Sequence, residues 1–241
     1  MLQKGLVKTI PSPELLSLKM RNVSELFPGF LSGDFALLYG SNDIQSLATL
    51  LSIRAQLPTQ LGGLSSKVIF IDGANSFRLY QTTHLARLCN LDPKQVLDHI
   101  YISRAFTAHQ IAALITSQLK ETIEKYSAKL VIISDIAGYF LDEDITEIEA
   151  QRIFSQITNY LSNLAKEQQI IILATYLPHP QTKRNTLLHA STYSKANVVL
   201  SLRRTSYARQ FVLEKHPTLS IGSSEVPFQD LTLDDFLEVN A

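Results

Sequence analysis

Six short apolar runs, rich in β-branched residues, set the strongest limit on how this chain can fold. They span residues 35–39, 67–72, 99–102, 129–134, 169–174 and 197–202. Short runs of this kind are typical of strands buried on both faces of a sheet. Helical patterns separate most of them, so we predict an α/β fold: a mostly parallel central sheet with helices on both faces. The run 209–213 follows closely and predicts a C-terminal β-hairpin.

Two of the helical patterns carry clear start signals. In residues 107–126, apolar side chains recur at intervals of three and four after Thr107, a residue type that caps helix N-termini. Residues 146–165 open with Thr146 and, three positions later, Glu149, which is the spacing of a capping box. Both segments are therefore predicted to be helices that bury one face against the sheet.

The composition is that of an ordinary globular protein, with 241 residues, 45% hydrophobic and 18% charged. A single cysteine, Cys89, excludes an internal disulfide framework and favours a reducing compartment. The sequence shows no signal-peptide pattern and no apolar stretch of about 18–20 residues. We therefore expect a cytoplasmic protein without a membrane partner, nucleoid-associated in a prokaryote or nuclear in a eukaryote.

The 22 basic and 22 acidic side chains cancel, but they are unevenly distributed along the chain. Residues 225–241 and 142–149 each contain five acidic residues and no basic one. Residues 183–215, by contrast, hold seven basic residues against Glu214 alone. Because nucleic-acid binding depends on local positive charge, zero net charge does not exclude a DNA partner.

An ordered series of short motifs connects this chain to a known family. The motifs lie at residues 24–30, 37–40, 56–58, 62–64, 67–72, 75–78, 91–98 and 100–106. In this order they resemble the ATPase core of the RecA/RadA recombinases, most closely the archaeal and eukaryotic branch. The resemblance implies a RecA-like core domain at 22–228, preceded by an N-terminal linker segment at 1–21 and followed by an acidic tail at 229–241.

The resemblance also locates the phosphate-binding loop of the family, in the turn that follows the first strand of the core. That turn reads Gly40-Ser41-Asn42-Asp43, with one glycine and no lysine. A working loop needs several glycines, a lysine for the β- and γ-phosphates and a hydroxyl for Mg²⁺. The lysine of the family falls at Ile44 and its magnesium-binding threonine at Gln45.

The other nucleotide positions of the family are also changed. Its catalytic glutamate falls at Ala74, the arginine that stacks on adenine at Gln81, and the glutamine that senses the γ-phosphate at Leu177. The acid that supports magnesium falls at Ser134, with Asp135 one place later, where side-chain alternation re-aims the carboxylate unless the strand end bulges. We therefore expect a pseudo-ATPase without a cofactor, although backbone amides at the start of the helix leave residual ATP binding open.

Family members bind single-stranded DNA through two loops, and the two differ here. In the first loop the arginines of the family fall at Leu141 and Glu147, among acids that repel phosphate or dock a basic partner. The second loop leads into the basic stretch. The candidate DNA-binding residues of the loop and the stretch are Lys183, Arg184, Lys195, Arg203, Arg204 and Arg209. Alternatively, Arg203, Arg204 and Arg209 line an exposed edge of the hairpin, where their charge discourages pairing with another strand.

The expected role is that of an accessory protein. The sequence contains neither a helix-hairpin-helix domain before the core nor the Phe-x-x-Ala tether between protomers. The partner implied by the resemblance is an active RadA-type recombinase or another paralogue, with single-stranded DNA as a further candidate. Two alternatives stay open: an ATP-dependent recombinase with a rearranged site, and a scaffold or signalling module that kept only the fold.

Overall fold

The computed structural model describes residues 14–20, 22–73 and 75–227. The strands are β1 (Leu15–Ser17), β2 (Gly29–Leu31), β3 (Phe35–Gly40), β4 (Val68–Asp72), β5 (Ile100–Arg104), β6 (Leu130–Ser134), β7 (Ile171–Tyr176), β8 (Val198–Arg204), β9 (Ala208–Lys215) and β10 (Gly222–Pro227). The helices are α1 (Asp43–Arg54), α2 (Leu79–Leu88), α3 (Pro93–Asp98), α4 (Ala108–Ala113), α5 (Leu119–Tyr126), α6 (Glu147–Gln168) and α7 (Lys183–Lys195).

Eight strands form the central sheet in the order β10-β9-β8-β3-β7-β6-β4-β5. The six strands from β8 to β5 run parallel, and β9 and β10 are antiparallel to their neighbours. All six predicted strands are present, and so is the predicted hairpin, in which Leu202 pairs with Phe211. The α/β fold class, with its mostly parallel central sheet, is thereby confirmed.

The sheet separates two hydrophobic clusters because successive side chains of a strand point to opposite faces. In β3, Ala36 and Leu38 pack in the cluster that contains α1, whereas Phe35 and Leu37 pack in the cluster that contains α6. Helices therefore cover both faces, and the carboxyl ends of the parallel strands form one edge of the sheet. That edge, called the carboxyl edge below, is where ligands of doubly wound sheets bind.

The predicted helix starts are present. The Thr107 hydroxyl accepts a hydrogen bond from the Gln110 amide at 3.2 Å, and Thr146 does the same for Glu149 at 3.3 Å. The helix predicted at 107–126 is interrupted, because a π-helical turn at Leu114–Gln118 separates α4 from α5.

Several short elements lie outside the predicted pattern. Strands β1 and β2 pair as a small antiparallel sheet, and β10 extends the hairpin. Leu16 and Leu18 are fully buried, so the described part of the segment predicted as an N-terminal linker packs into the core. The acidic tail predicted at 229–241 lies outside the described residues. Within the parts of the chain that the structure describes, no helix is both long and apolar enough to cross a membrane.

Candidate functional site

The carboxyl edge brings together most of the nucleotide positions assigned from the resemblance. Gly40 and Ser134 end β3 and β6, while Asp135 and Leu177 directly follow β6 and β7. Gln81 lies in the first turn of α2, and its side-chain amide donates to the Ser46 hydroxyl of α1 at 2.8 Å. Ala74 lies outside the described residues.

Three backbone amides of the turn after β3 donate hydrogen bonds within the protein. The Ser41 amide donates to the Leu202 carbonyl oxygen of β8 at 2.7 Å. The Ile44 and Gln45 amides donate to the carbonyl oxygens of Ser41 and Asn42, both at 3.2 Å. Amides that cradle a phosphate must point at it, and these three already have acceptors within the protein.

The charged group at the start of α1 is the Asp43 carboxylate, which forms an ion pair with Arg209. Arg209 of β9 places its Nε 2.9 Å from Asp43 Oδ2, and both side chains are largely buried, at 16% and 25% exposure. Ile44, at the position of the family's lysine, is 1% exposed and packs into the hydrophobic cluster around α1. An anionic ligand would meet the Asp43 carboxylate here and would find no lysine.

A second buried network joins the ends of β4 and β6. The Asp72 carboxylate accepts hydrogen bonds from the Ser76 amide at 2.8 Å and the Phe77 amide at 3.3 Å. The hydroxyls of Ser76 and Ser134 lie 2.6 Å apart, and Arg104 approaches Asp72 at 3.6 Å. Ser134 lies at the position that the resemblance gives to the magnesium-side acid. It is a neutral side chain, 2% exposed, and its hydroxyl is hydrogen-bonded to Ser76.

Asp135 turns toward the loop that follows β7. It adopts a left-handed backbone conformation with φ of 46°, and its amide donates to the Thr175 hydroxyl at 2.9 Å. Its Oδ1 accepts from the Leu177 amide at 3.3 Å and lies 2.9 Å from His179 Nε2. The carboxylate is 6% exposed. These bonds hold the start of the loop after β7, where Leu177 occupies the position that the resemblance gives to the γ-phosphate-sensing glutamine.

Taken together, these contacts do not fit the magnesium nucleotide that the family implies. Ile44, at the position where the resemblance puts a lysine, is apolar and buried, and Ser134, at the position of the metal-side acid, is a hydrogen-bonded serine. The amides of Ser41, Ile44 and Gln45 have acceptors within the protein. In the described part of the chain, no group of three His, Cys, Asp or Glu side chains is arranged to hold a metal ion.

The candidate DNA-binding residues do not form one patch. Lys183 and Lys195 lie at opposite ends of α7, a helix of 13 residues that spans about 20 Å. Arg203 approaches Glu214 at 3.2 Å and is 60% exposed, and Arg204 is exposed beside it at the end of β8. Arg209 is largely buried against Asp43. The run of basic residues is thus continuous in sequence and dispersed in space.

Arg184, at the start of α7, connects the loop after β7 to the loop after β6. These two loops correspond to the DNA-binding loops of the family that the sequence resembles. Its guanidinium donates to the carbonyl oxygens of Asp142 and Ile145, both at 3.0 Å. We expect Arg184→Met to increase amide hydrogen exchange at residues 142–146 by about thirtyfold, because two bonds are lost and each contributes about 1 kcal/mol. Hydrogen exchange read by mass spectrometry measures this, with the exposed neighbour Lys183→Met as control. Equal exchange in the two variants would contradict the role of Arg184.

The Asp135–His179 pair predicts a pH dependence. The hydrogen bond to Asp135 raises the pKa of His179 against the opposing effect of burial, and the charge of Asp142 acts in the same direction as Asp135. A raised pKa in the folded state stabilises the fold fully below about pH 6.5, and the contribution is lost as pH rises through the raised pKa. His179→Gln should therefore cost more stability at pH 5.5 than at pH 8.5 in urea unfolding experiments.

The control for this measurement is His99→Gln, since His99 precedes β5 at the opposite end of the sheet. A pH-independent cost of His179→Gln would show that the pair is not an ion pair. His179 carries no signal in the sequence, because it lacks metal-ligand spacing and its partner is 44 positions away. Glu214 also carries no signal in the sequence, although its carboxylate accepts hydrogen bonds from the Tyr39 and Ser201 hydroxyls, both at 2.7 Å.

Comparison with known families agrees with this architecture. The family model described as Rad51 matches residues 19–197, which is well over half of the chain. The match covers the strands and turns of the carboxyl edge from β3 to the end of α7. A Rad51 domain suggests a role in DNA recombination and repair. On the fold, the strand order and this match, the chain belongs to the Rad51 family.

Proposed function

We propose that this member of the Rad51 family is a non-catalytic paralogue that assists homologous recombination and DNA repair. It would act by binding an active recombinase, single-stranded DNA or both, without hydrolysing ATP. The proposal extends the recombination and repair role that the family domain suggests.

The Asp43–Arg209 ion pair is the observation that carries the proposal. Phosphoryl transfer depends almost wholly on positioning and on charge stabilisation of the transferred group. At the start of α1 the protein has instead a carboxylate, balanced 2.9 Å away by a guanidinium from β9. The buried Ile44 below it leaves no cation for a phosphate from this turn. The combination supports a site that keeps the strand, turn and helix of a nucleotide site but lacks the groups needed for ATP hydrolysis.

Exposed apolar side chains along the carboxyl edge support a protein partner. Tyr80 is 89% exposed in the first turn of α2, and Phe106 is 67% exposed just after β5. Ile148 is 84% exposed in the first turn of α6, and Tyr207 is 82% exposed between β8 and β9. Large apolar side chains left exposed at this edge are available for contact with a protein partner.

The absence of catalysis is tested by ATP turnover. The purified protein, with Mg²⁺ and with or without single-stranded DNA, should show no turnover above that of a buffer blank. An active recombinase measured in parallel provides the positive control. Magnesium-dependent turnover that is lost in Asp135→Asn would overturn the proposal in favour of an ATPase with a rearranged site.

The accessory role is tested with the active recombinase of the same organism. Filament formation on single-stranded DNA is measured with and without the protein, together with direct binding of the two proteins. We expect binding or altered filament formation, reduced when Tyr80 and Tyr207 are both changed to Ala. The matched control is Tyr160→Phe on α6, away from the carboxyl edge. Absence of binding and of any effect would favour a scaffold unrelated to recombination.

A further inference from the structure

The loop after β6 and the first turn of α6 form a negatively charged surface at the carboxyl edge. The side chains of Asp142, Glu143, Asp144 and Glu147 are exposed. Ile148 follows Glu147 and is almost fully exposed. Residues 142–148, which contain no basic residue, are called the acidic surface below.

The protein fixes the backbone of the acidic surface. The Ile145 side chain is buried, and the Thr146 hydroxyl caps α6 through the Glu149 amide. The Arg184 guanidinium donates to the carbonyl oxygens of Asp142 and Ile145, so it bonds the backbone here and not the exposed carboxylates. A surface that is already ordered loses little conformational entropy when a partner binds.

The turn between β8 and β9 forms a second surface, of opposite charge. Arg203 and Arg204 end β8 and are exposed, although Arg203 also approaches Glu214. Tyr207, in the turn itself, is almost fully exposed. Residues 203–207 are called the basic turn below. The basic turn therefore combines positive charge with a large exposed ring, as the acidic surface combines negative charge with Ile148.

The two surfaces lie on the same edge of the sheet but cannot meet within one copy of the chain. Strands β8 and β6, which lead into them, are separated by β3 and β7. Three strand spacings amount to about 14 Å. In two copies related by a two-fold axis through the carboxyl edge, the basic turn of each copy faces the acidic surface of the other. One symmetry operation thus forms both contacts at once.

Two observations favour a second copy of this chain as the occupant of these surfaces. The chain has zero net charge, so two copies do not repel each other as wholes, while the uneven charges attract locally. Each surface also exposes one large apolar side chain, Ile148 or Tyr207, and contact between the two would remove both from water.

We propose that the protein forms a two-fold symmetric dimer through its carboxyl edge, with the basic turn of each copy on the acidic surface of the other. The observation behind the proposal is the presence of two complementary surfaces on one edge of one chain. The proposal goes beyond the accessory role, because self-association needs neither a recombinase nor DNA. A recombinase that contacts Tyr207 would compete with the second copy.

The first test is the mass of the full chain alone, measured by sedimentation equilibrium at several concentrations. We expect the mass of two chains at low salt, with a dissociation constant that rises at least about tenfold between about 0.05 M and about 0.5 M salt. A chain that stays monomeric at about 100 μM overturns the proposal. Species larger than two chains indicate head-to-tail association and overturn the two-fold arrangement as well.

Charge reversal then tests which surfaces meet. Arg203→Glu with Arg204→Glu reverses the basic turn, and each reversed turn should weaken association at least about tenfold. Glu143→Lys with Asp144→Lys reverses the acidic surface and should have the same effect. An equal mixture of the two double variants should dimerise again, because every contact in the mixed dimer joins opposite charges. A mixture that stays monomeric overturns the proposal.

The matched control is Lys166→Glu with Lys195→Glu, which changes the net charge by the same amount as reversal of the basic turn. These exposed lysines lie near the ends of α6 and α7, at the opposite edge of the sheet. The control should dimerise as the wild type does, and circular dichroism confirms that each variant is folded. Equal weakening in the control overturns the proposal. So does a monomeric wild type whose reversed basic turn loses binding to a single-stranded oligonucleotide, which would assign this turn to DNA.

Discussion

Gly40→Ala is expected to lower the free energy of unfolding by about 3 kcal/mol or more. Gly40 ends β3 with φ of 115°, a conformation that side-chain-bearing residues rarely adopt. A Cβ at this position would lie 2.2 Å from the Leu202 carbonyl oxygen and 3.0 Å from its carbonyl carbon. These are backbone atoms of β8, which is held on both sides within the sheet, so they cannot move aside.

Urea unfolding followed by circular dichroism measures this loss, provided that the slope with denaturant is unchanged. Gly33→Ala is the matched control. Gly33 also has positive φ, at 96°, but the nearest atom to its Cβ is the Gln169 side-chain nitrogen at 3.5 Å. Its cost should therefore be the backbone term alone, about 1 kcal/mol. Equal costs at the two positions would show that β3 and β8 do not approach as closely as described.

Arg209→Met is expected to cost about 2 kcal/mol of stability, and Asp43→Asn a similar amount. Removing one member of a fully buried ion pair costs about 3–5 kcal/mol, and partial exposure reduces that figure. The two side chains are 16% and 25% exposed, so desolvation of the remaining charge still matters. Because the two groups interact directly, the double variant should cost about 1 kcal/mol less than the sum of the single ones.

Arg203→Met is the control for this cycle, because Arg203 also approaches a carboxylate, Glu214, from the same hairpin. It is 60% exposed, so solvent screens the pair and its loss should change stability by no more than about 0.5 kcal/mol. The measurement is again urea unfolding at one pH and one ionic strength. If Arg203→Met cost as much as Arg209→Met, burial would not explain the importance of the Asp43–Arg209 pair.

The buried strands and the long helices could be predicted from the sequence because their signals are local. A run such as 129–134 shows its burial by composition, and Thr146 with Glu149 shows a helix start by spacing. The short strands β1, β2 and β10 carry no such signal. They form because Leu16 and Val226 find apolar partners elsewhere in the chain, and tertiary packing outweighs weak local propensity.

The candidate site divides in the same way. Gly40, Ser134 and Leu177 lie at the carboxyl edge, where the order of strands and turns in the sequence puts them. The partners of these positions were not predictable. Arg209, expected to face DNA, lies instead against Asp43, and Asp135, expected to be mis-aimed for magnesium, holds His179. Each pair joins segments more than 40 positions apart.

The sequence alone determined the α/β class, the parallel strands and the absence of a lysine from the turn after β3, since each depends on residue type at neighbouring positions. The pairing of charges was not, because strand order sets it: β8 lies between β3 and β9, and this order carries Arg209 of β9 to the start of α1. The basic stretch that looked like one DNA-binding segment is divided for the same reason. A helix and a hairpin point its cations in different directions, and burial, which only the packed sheet creates, determines which of them face solvent.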